Sequence, residues 1–529
     1  MNVIYQELKD QPKFYRITAL DPILVLSKGN HWFIKAFPEN TSIYMGYWIE
    51  KGGYFYKIIS EIKFQEEIER LEIISPQESH LVLKDGNIVK MYLENDEFCI
   101  ESVKPVFVII DFDLRKLYSN LNEGQIYNFI PNSSSYFVHF VQLKENFEVD
   151  FFINFKGDLR LVNEFYEKEF EFDKRRNSSL YTFKILKGFQ GYLTKFALKV
   201  ENFKNYNSEI ELEEPLLPIK KFLIKRILSL YSFNKLRAGL FWFPQRWFRD
   251  ELLTLMFINS IKSIKNIQKS IFDFHLNNLD KIWDKNKEED FIKSADTLLL
   301  LINALDQTTL KENSKILKDY FKKWEKEFIQ ETINLPPKST WMDTKERTNA
   351  FEIDLMYLRA LERLGLTDEH KKYKMALKAK IYSNLYPKDE IISPNAFLAY
   401  FIYPNFFEDH EWMKIFDEVV KKHYLEWGGF SSKDKNSQNF YWYHTGENSL
   451  SYHNGDSWFW INNLGAYSLS LISYRKYENI IEKIKEASLT NLLKIGALGY
   501  MSELSSAKEF RAEGCPVQLW SISSLYLLL

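Results

Sequence analysis

Four clusters in the second half of the chain mix tryptophan with carboxylates, arginine and histidine. The first is Trp242-Phe243-Pro244-Gln245-Arg246-Trp247-Phe248-Arg249-Asp250-Glu251, and the second is Thr340-Trp341-Met342-Asp343. The third is Tyr452-His453-Asn454-Gly455-Asp456-Ser457-Trp458-Phe459-Trp460. The fourth joins Gly499-Tyr500-Met501-Ser502-Glu503-Leu504 to Glu513-Gly514-Cys515-Pro516-Val517-Gln518-Leu519-Trp520-Ser521. Of 13 tryptophans, 8 fall in or beside these clusters. Tryptophan used only as core filling would scatter along helix faces. Gathered with Asp, Glu, Arg and His, it offers flat faces for sugar rings while its polar neighbours bind hydroxyls. Carboxylates stand in every cluster, Asp343 and Glu503 among them, and carboxylates are groups able to move protons.

The elements that must position these clusters change type along the chain. The first two hundred residues read as short strands, including Lys13–Thr18, Ile23–Leu26, His31–Phe37 and Ser42–Glu50. Turn signals stand at Lys51-Gly52-Gly53, Asp85-Gly86 and Lys156-Gly157-Asp158, and Gly188–Val200 reads as a further strand pair. After Pro215–Pro218 the apolar residues recur at helical spacing. Helices are expected to start near Pro218, Asp250, Ile264, Ser294, Leu310, Ala350, Asp368, Pro394, Asp409, Asp456, Glu478 and Pro516. Each cluster thus falls at a loop-to-helix junction. The fold class is α+β multidomain: an N-terminal antiparallel β-sandwich over 1–212, then a C-terminal (α/α)6 toroid over 213–529. A helical array of other connectivity is the alternative.

Composition excludes several classes. The formal net charge is −2, so nothing points to nucleic acid or an anionic membrane surface as a partner. Met1–Pro12 lacks the apolar core of a signal peptide, and runs such as Leu298–Ile302 are too short to span a bilayer. A soluble cytoplasmic protein is expected. Cys99 and Cys515 are the only cysteines, which leaves no disulfide framework or thiolate zinc site. No ligand-spaced His or carboxylate set and no Gly-rich phosphate loop appears, so neither metal nor cofactor is expected. The oligomeric state leaves no trace in the sequence.

The clusters resemble the amylo-α-1,6-glucosidase family, the glucosidase half of glycogen debranching enzyme, over roughly residues 238–522. The shared features are the aromatic run into Arg249-Asp250, Ser294-Ala295-Asp296, Thr340–Asp343, Glu352-Ile353 and Pro394-Asn395. The motif of His453, Gly455, Trp458 and Trp460 follows, then Ser502-Glu503 and Gly514–Ser521. Two departures stand out: Trp247-Phe248 where the family has Trp-Gly, and Leu504-Ser505-Ser506-Ala507 where it often has an aromatic-Asp-Gly turn.

The resemblance implies an inverting glycosidase that removes α-1,6-linked glucose from glycogen or limit dextrin, with an α-glucan or oligosaccharide as its partner. Asp343 would be the proton donor and Glu503 the base, with carboxyls roughly 6.5–9.5 Å apart to admit water. A donor of this kind needs a raised pKa, and Trp341 could supply part of the apolar wall. Trp242, Arg249, Asp250, Asp296, Trp341, His453, Trp458 and Trp460 would bind substrate. Read without the resemblance, Asp343 and Glu503 are equally helix N-terminal carboxylates. Arg249-Asp250 is then a structural ion pair, Asp296 a cap, Trp458 and Trp460 core, and His453 a satisfied structural histidine. Glu346, Arg347, Glu352, Glu447 and Glu513 are lesser candidates. A glucoamylase- or trehalase-like exo-glucosidase, an inverting phosphorylase and a glycan-binding protein with an inactive site are the competing functions.

Overall fold

The computed structural model describes residues 15–16, 23–37, 39–206, 210, 212, 214–281, 294–329, 333–448 and 450–529. The expected absence of a leader in Met1–Pro12 lies outside these residues, as does most of the expected strand Lys13–Thr18, of which Tyr15–Arg16 (β1) is seen.

Strands follow as β2 (Ile23–Lys28), β3 (His31–Ala36), β4 (Gly46–Lys51), β5 (Tyr54–Phe64), β6 (Ile68–Ile73), β7 (Glu78–Leu83) and β8 (Ile88–Glu94). They continue as β9 (Glu97–Lys116), β10 (Gln125–Asn132), β11 (Ser135–Gln142), β12 (Phe147–Glu169) and β13 (Thr182–Val200). All pair antiparallel in one large sheet that branches at β9. One half of β9 pairs with β8 and the other half with β5. Asp85-Gly86 makes the expected hairpin between β7 and β8.

Two expectations fail here for one reason. Lys156-Gly157-Asp158 is no turn but a bulge inside β12, and Gly188–Val200 is part of the single strand β13. A Cβ on Gly157 would lie 2.2 Å from the Tyr192 carbonyl oxygen, and one on Gly191 would lie 2.0 Å from that of Asp158. The glycines permit two bent strands to cross closely rather than reversing the chain.

Strands β2 to β4 are buried on both faces. Alternation explains this. Leu24, Leu26, Phe33, Tyr47 and Ile49 enter the interior of the β region. Val25, Trp32, Ile34 and Trp48 point the other way, into the core of the helical region.

The helices are α1 (Glu171–Arg175), α2 (Pro218–Ser229), α3 (Phe248–Phe257), α4 (Lys265–Asn277), α5 (Thr297–Ala304), α6 (Gln307–Glu312) and α7 (Ser314–Phe328). Then come α8 (Phe351–Arg363), α9 (Thr367–Tyr382), α10 (Lys388–Ile391), α11 (Asn395–Ile402), α12 (Asp409–His423), α13 (Phe459–Lys494, broken at Ser473) and α14 (Leu519–Leu528). Two classes emerge from their sequences. In α5, α11 and α14 almost every residue is buried, whichever way it points. In α7 only Leu317, Phe321, Trp324 and Phe328 are buried, and in α12 only Trp412, Phe416, Val419 and His423. A helix apolar all round is enclosed, and one with a single stripe lies outside. The enclosed helices contact one another in a closed circuit: α3 with α5, α5 with α8, α8 with α11, α11 with α13, α13 with α14, and α14 with α3.

Candidate active site

The six helices of the circuit start beside residues that make no side-chain cap: Trp247, Asp296, Ala350, Pro394, Trp458 and Gln518. Helix starts normally recruit a capping side chain. Uncapped starts also occur outside the circuit, in α2, α4, α7 and α9, so this feature alone does not mark a site.

A pocket open to solvent lies beside the starts of α3, α13 and α14, and its walls include Arg249, Asp250, Trp341, Asp343, Trp458 and Glu503. Six of the ten expected site residues are therefore brought together. Trp247, Tyr452, Gln518 and Trp520 complete much of the lining.

The loop carrying Asp343 is fixed on both sides. Ser339 accepts from the Ala295 amide at 2.7 Å, and the Trp341 indole donates to Asn395 at 3.0 Å. Asp343 keeps 37% of its side chain exposed and lies 3.6 Å from Nε2 of His453. Burial acts to raise its pKa, but the polar contact with His453 and the charge of Arg249 outweigh it, holding Asp343 below the ordinary aspartate value. This differs from the raised value expected of a proton donor. The reason is the company Asp343 keeps: a guanidinium and an imidazole face it, and Trp341 alone does not make an apolar pocket.

Glu503 is 2% exposed. Its loop is stitched to the start of α13 by the pairing of Ser457–Trp458 with Leu504–Ser505. The Tyr452 hydroxyl donates to one carboxyl oxygen, and the Cys515 amide donates to the other at 2.8 Å. Burial pushes Glu503 up to about 7 against the pull of these two donors. Both partners are donors, so the geometry complements the ionised carboxylate.

Arg249 and Asp250 sit side by side at the start of α3. Arg249 Nε donates to Asp296 at 2.7 Å, and its Nη2 donates to Ser294 at 3.2 Å. Gln518 donates to Asp250 at 3.1 Å. Burial pushes Asp250 well above the usual carboxylate range; Arg249 opposes this and the Glu503 charge adds to it.

Four expected substrate contacts take other places. Asp296 makes no cap and does not line the cavity; it stands behind Arg249 and pairs with it. His453 lies behind Asp343, its ring stacked on Trp458 at 4.9 Å. Trp460 is fully buried and stacks on Trp520 at 5.1 Å. Trp242 packs away from the cavity, under the guanidinium of Arg176 at 3.5 Å and against Phe172. The clusters fold together, but neighbours along a chain point in different directions, which spacing does not record.

The lesser candidates divide similarly. Arg347 forms a buried network with Glu352 and Glu390. Glu346 is exposed, and Glu513 pairs through its backbone with Leu504. The side chain of Glu447 lies outside the described residues.

Residues missed in the sequence include Tyr452, whose only signal was its place before His453. Gln518 and Trp520 stood in a motif without an assigned role. Arg176 left no signal at all, because it comes from the β region. Its charge reaches Glu503, and Asn177 beside it donates to Thr445 at 3.1 Å. No cluster of three metal-binding side chains occurs among the described residues. None of the described helices is long and apolar enough to cross a membrane.

Residues 300–527 match the model of the amylo-alpha-1,6-glucosidase family. The matched stretch is similar to that family over somewhat less than half of the chain. The match takes in Asp343, His453 and Glu503 and leaves Arg249, Asp250 and Asp296 outside. No curated protein matches. Among solved structures, a rhamnosidase from Klebsiella oxytoca with rhamnose bound aligns at a TM-score of 0.44 and 10% identity, covering 99% of this chain and 98% of that one. A family GH92 inverting mannosidase from Bacteroides thetaiotaomicron aligns at a TM-score of 0.33 and 11% identity, covering 96% and 82%.

Proposed function

We propose that the protein is an exo-acting α-glucosidase that removes α-1,6-linked glucose from glycogen or limit dextrin by inversion. The observation that carries this reading is the meeting of Asp343 and Glu503, from loops 160 residues apart, in one tryptophan-walled cavity with Arg249 and Asp250. Inverting hydrolysis needs one carboxyl to protonate the leaving oxygen and another to activate water. Glu503 is the base: two donors hold its carboxylate, and a pKa near 7 suits a group that takes a proton at neutral pH. Asp343 is the donor. A sugar ring seated in the cavity strips water from its exposed face, which raises its pKa in the complex. Arg249 and Asp250 bind hydroxyls, and Trp341, Trp458 and Trp520 wall the ring.

The closed circuit of inner helices supports an (α/α)6 toroid over 213–529, and the branch at β9 supports a two-layered β-sandwich over 1–212. We place the protein in the cytoplasm, where its polymer substrate is stored.

The test is glucose release from isomaltose, panose and phosphorylase limit dextrin, against maltotriose and trehalose, without phosphate. Release mainly from the α-1,6 substrates is expected. Asp343→Asn should lower it by about 100- to 10,000-fold with glucan binding retained. Release mainly from maltotriose or trehalose moves the substrate to the glucoamylase or trehalase type. Activity only with added phosphate, or none, defeats the hydrolase reading.

A further inference from the structure

Four helices of the inner circuit, α3, α5, α8 and α11, end around a second cavity, which opens to solvent. Its walls include Met256, Asn259, Asn303, Arg359, Arg363 and Phe401. The inner helices are 8 to 13 residues long. At 1.5 Å per residue the two cavities are then roughly 12–20 Å apart, at opposite ends of the ring.

The chemistry of this cavity is specific. Asn303 is nine-tenths buried, and its amide nitrogen donates to the carbonyls of Leu299 at 2.8 Å and Met356 at 3.0 Å. Those two bonds fix the rotamer, because the flipped amide would set oxygen against oxygen. The Oδ1 atom is left buried with no partner. A buried acceptor of this kind calls for a donor, which a ligand in the cavity can supply. Arg359 and Arg363 lie one turn apart on α8; Nη1 of Arg359 donates to Glu362, which is not among the described lining residues. Arg363 uses Nη2 on the Leu305 carbonyl, and its Nε is buried without a partner. Burial and the charge of Arg359 hold Arg363 below the ordinary arginine value, against the nearby charges of Asp306 and Glu362. Phe401 and Met256 offer an apolar face beside these groups.

We propose that this cavity binds a phosphorylated monosaccharide. The phosphate dianion meets the two guanidiniums, a form of recognition to which their fork geometry is suited. A sugar hydroxyl donates to Asn303 Oδ1, which a fully ionised phosphate alone does not do. The C–H face of the ring lies on Phe401. The site is separate from the catalytic cavity and does not depend on the reading of its activity.

The experiment is calorimetric titration of the full chain with glucose 6-phosphate, glucose 1-phosphate, inorganic phosphate, glucuronate and glucose. A sugar phosphate should bind at least about ten-fold more tightly than the other three. Arg359→Gln and Asn303→Asp should each weaken it about ten-fold or more, the loss of one charge-assisted contact, while Glu503→Gln leaves it unchanged. Should Asn303→Asp fail to fold, Arg359→Gln carries the test, since that side chain is 37% exposed. Equal binding of inorganic phosphate, glucuronate or glucose overturns the assignment, as does no binding at millimolar concentration. Binding lost in Glu503→Gln but kept in Arg359→Gln places the ligand in the catalytic cavity and also overturns it.

Discussion

Replacing Tyr452 by phenylalanine removes a single hydroxyl from Glu503 and little else. The ring keeps its edge contacts with His453 and Trp458, and the Tyr452 carbonyl still accepts from the Trp458 indole at 2.8 Å. The Cys515 amide remains as donor to the other carboxyl oxygen. A hydrogen bond to a charged group contributes about 1.5–3 kcal/mol, and one pKa unit is about 1.4 kcal/mol. The lost bond stabilised the carboxylate, so its removal raises the pKa. Glu503 should move from about 7 to about 8–9. With Glu503 as base and the pKa of Asp343 raised above it in the complex, the acidic limb of the kcat profile moves up by about 1–2 units, because kcat reports the complex. At about pH 6 the variant should be roughly 10- to 100-fold slower than the parent, with most of the loss recovered on the alkaline side. The assay is glucose release from panose across the pH range. A uniform loss with an unmoved limb would refute the idea that Tyr452 acts through Glu503. An upward shift of the basic limb instead would make Glu503 the proton donor and exchange its role with that of Asp343.

Three further outcomes follow from other parts of the site and its support. Asp296→Ala leaves Arg249 buried without its carboxylate, so urea denaturation should show a loss of about 3–5 kcal/mol; a loss under about 1 kcal/mol would mean that the pair is expendable. Gly514 has a φ of +66°, and a Cβ there would lie 2.5 Å from Glu503 Oε2. Gly514→Ala should therefore cost about 1–2 kcal/mol of stability from its backbone alone, and it should lower kcat further by displacing Glu503; parental kcat would count against that packing. Asp354 is buried and receives the hydroxyls of Tyr373 and Tyr386, and burial pushes it up to about 7. Its folded pKa thus lies above its unfolded value. The linked stability is complete below about pH 4 and is lost as pH rises through 7, by roughly 4 kcal/mol. Asp354→Asn should flatten the fall in urea stability between pH 5 and 8, and an unchanged slope would exclude Asp354 as its source.

The expected helix starts at Pro218, Ile264, Ala350, Asp368, Pro394 and Asp409 fall within one residue of the observed ones. Apolar spacing over several turns is a local signal and survives folding. The expected turn at Lys156-Gly157-Asp158 does not, because a glycine that lets two strands cross closely looks the same as one that reverses the chain. The site was legible as a set of clusters and less so as a set of contacts. Asp343, Glu503, Arg249, Asp250, Trp341 and Trp458 meet in the cavity. Trp460, two residues after Trp458, turns into the core. His453 and Asp296 are held one layer back by Asp343 and Arg249. The lowered pKa of Asp343 depends on charges that lie 94 and 110 residues away in sequence, at Arg249 and His453. No local pattern reports such neighbours.

The circuit of inner helices closes where α14 packs on α3, and this joins residues some 270 positions apart. Until that contact forms, α3 and α13 each present an apolar flank with nothing against it. Contacts of such separation are slow to form, and the open intermediate exposes surface that favours association between chains. Refolding from urea should therefore show a late phase in which the last stave drops into place, and catalytic competence should arrive with that phase rather than with the bulk of the helical signal.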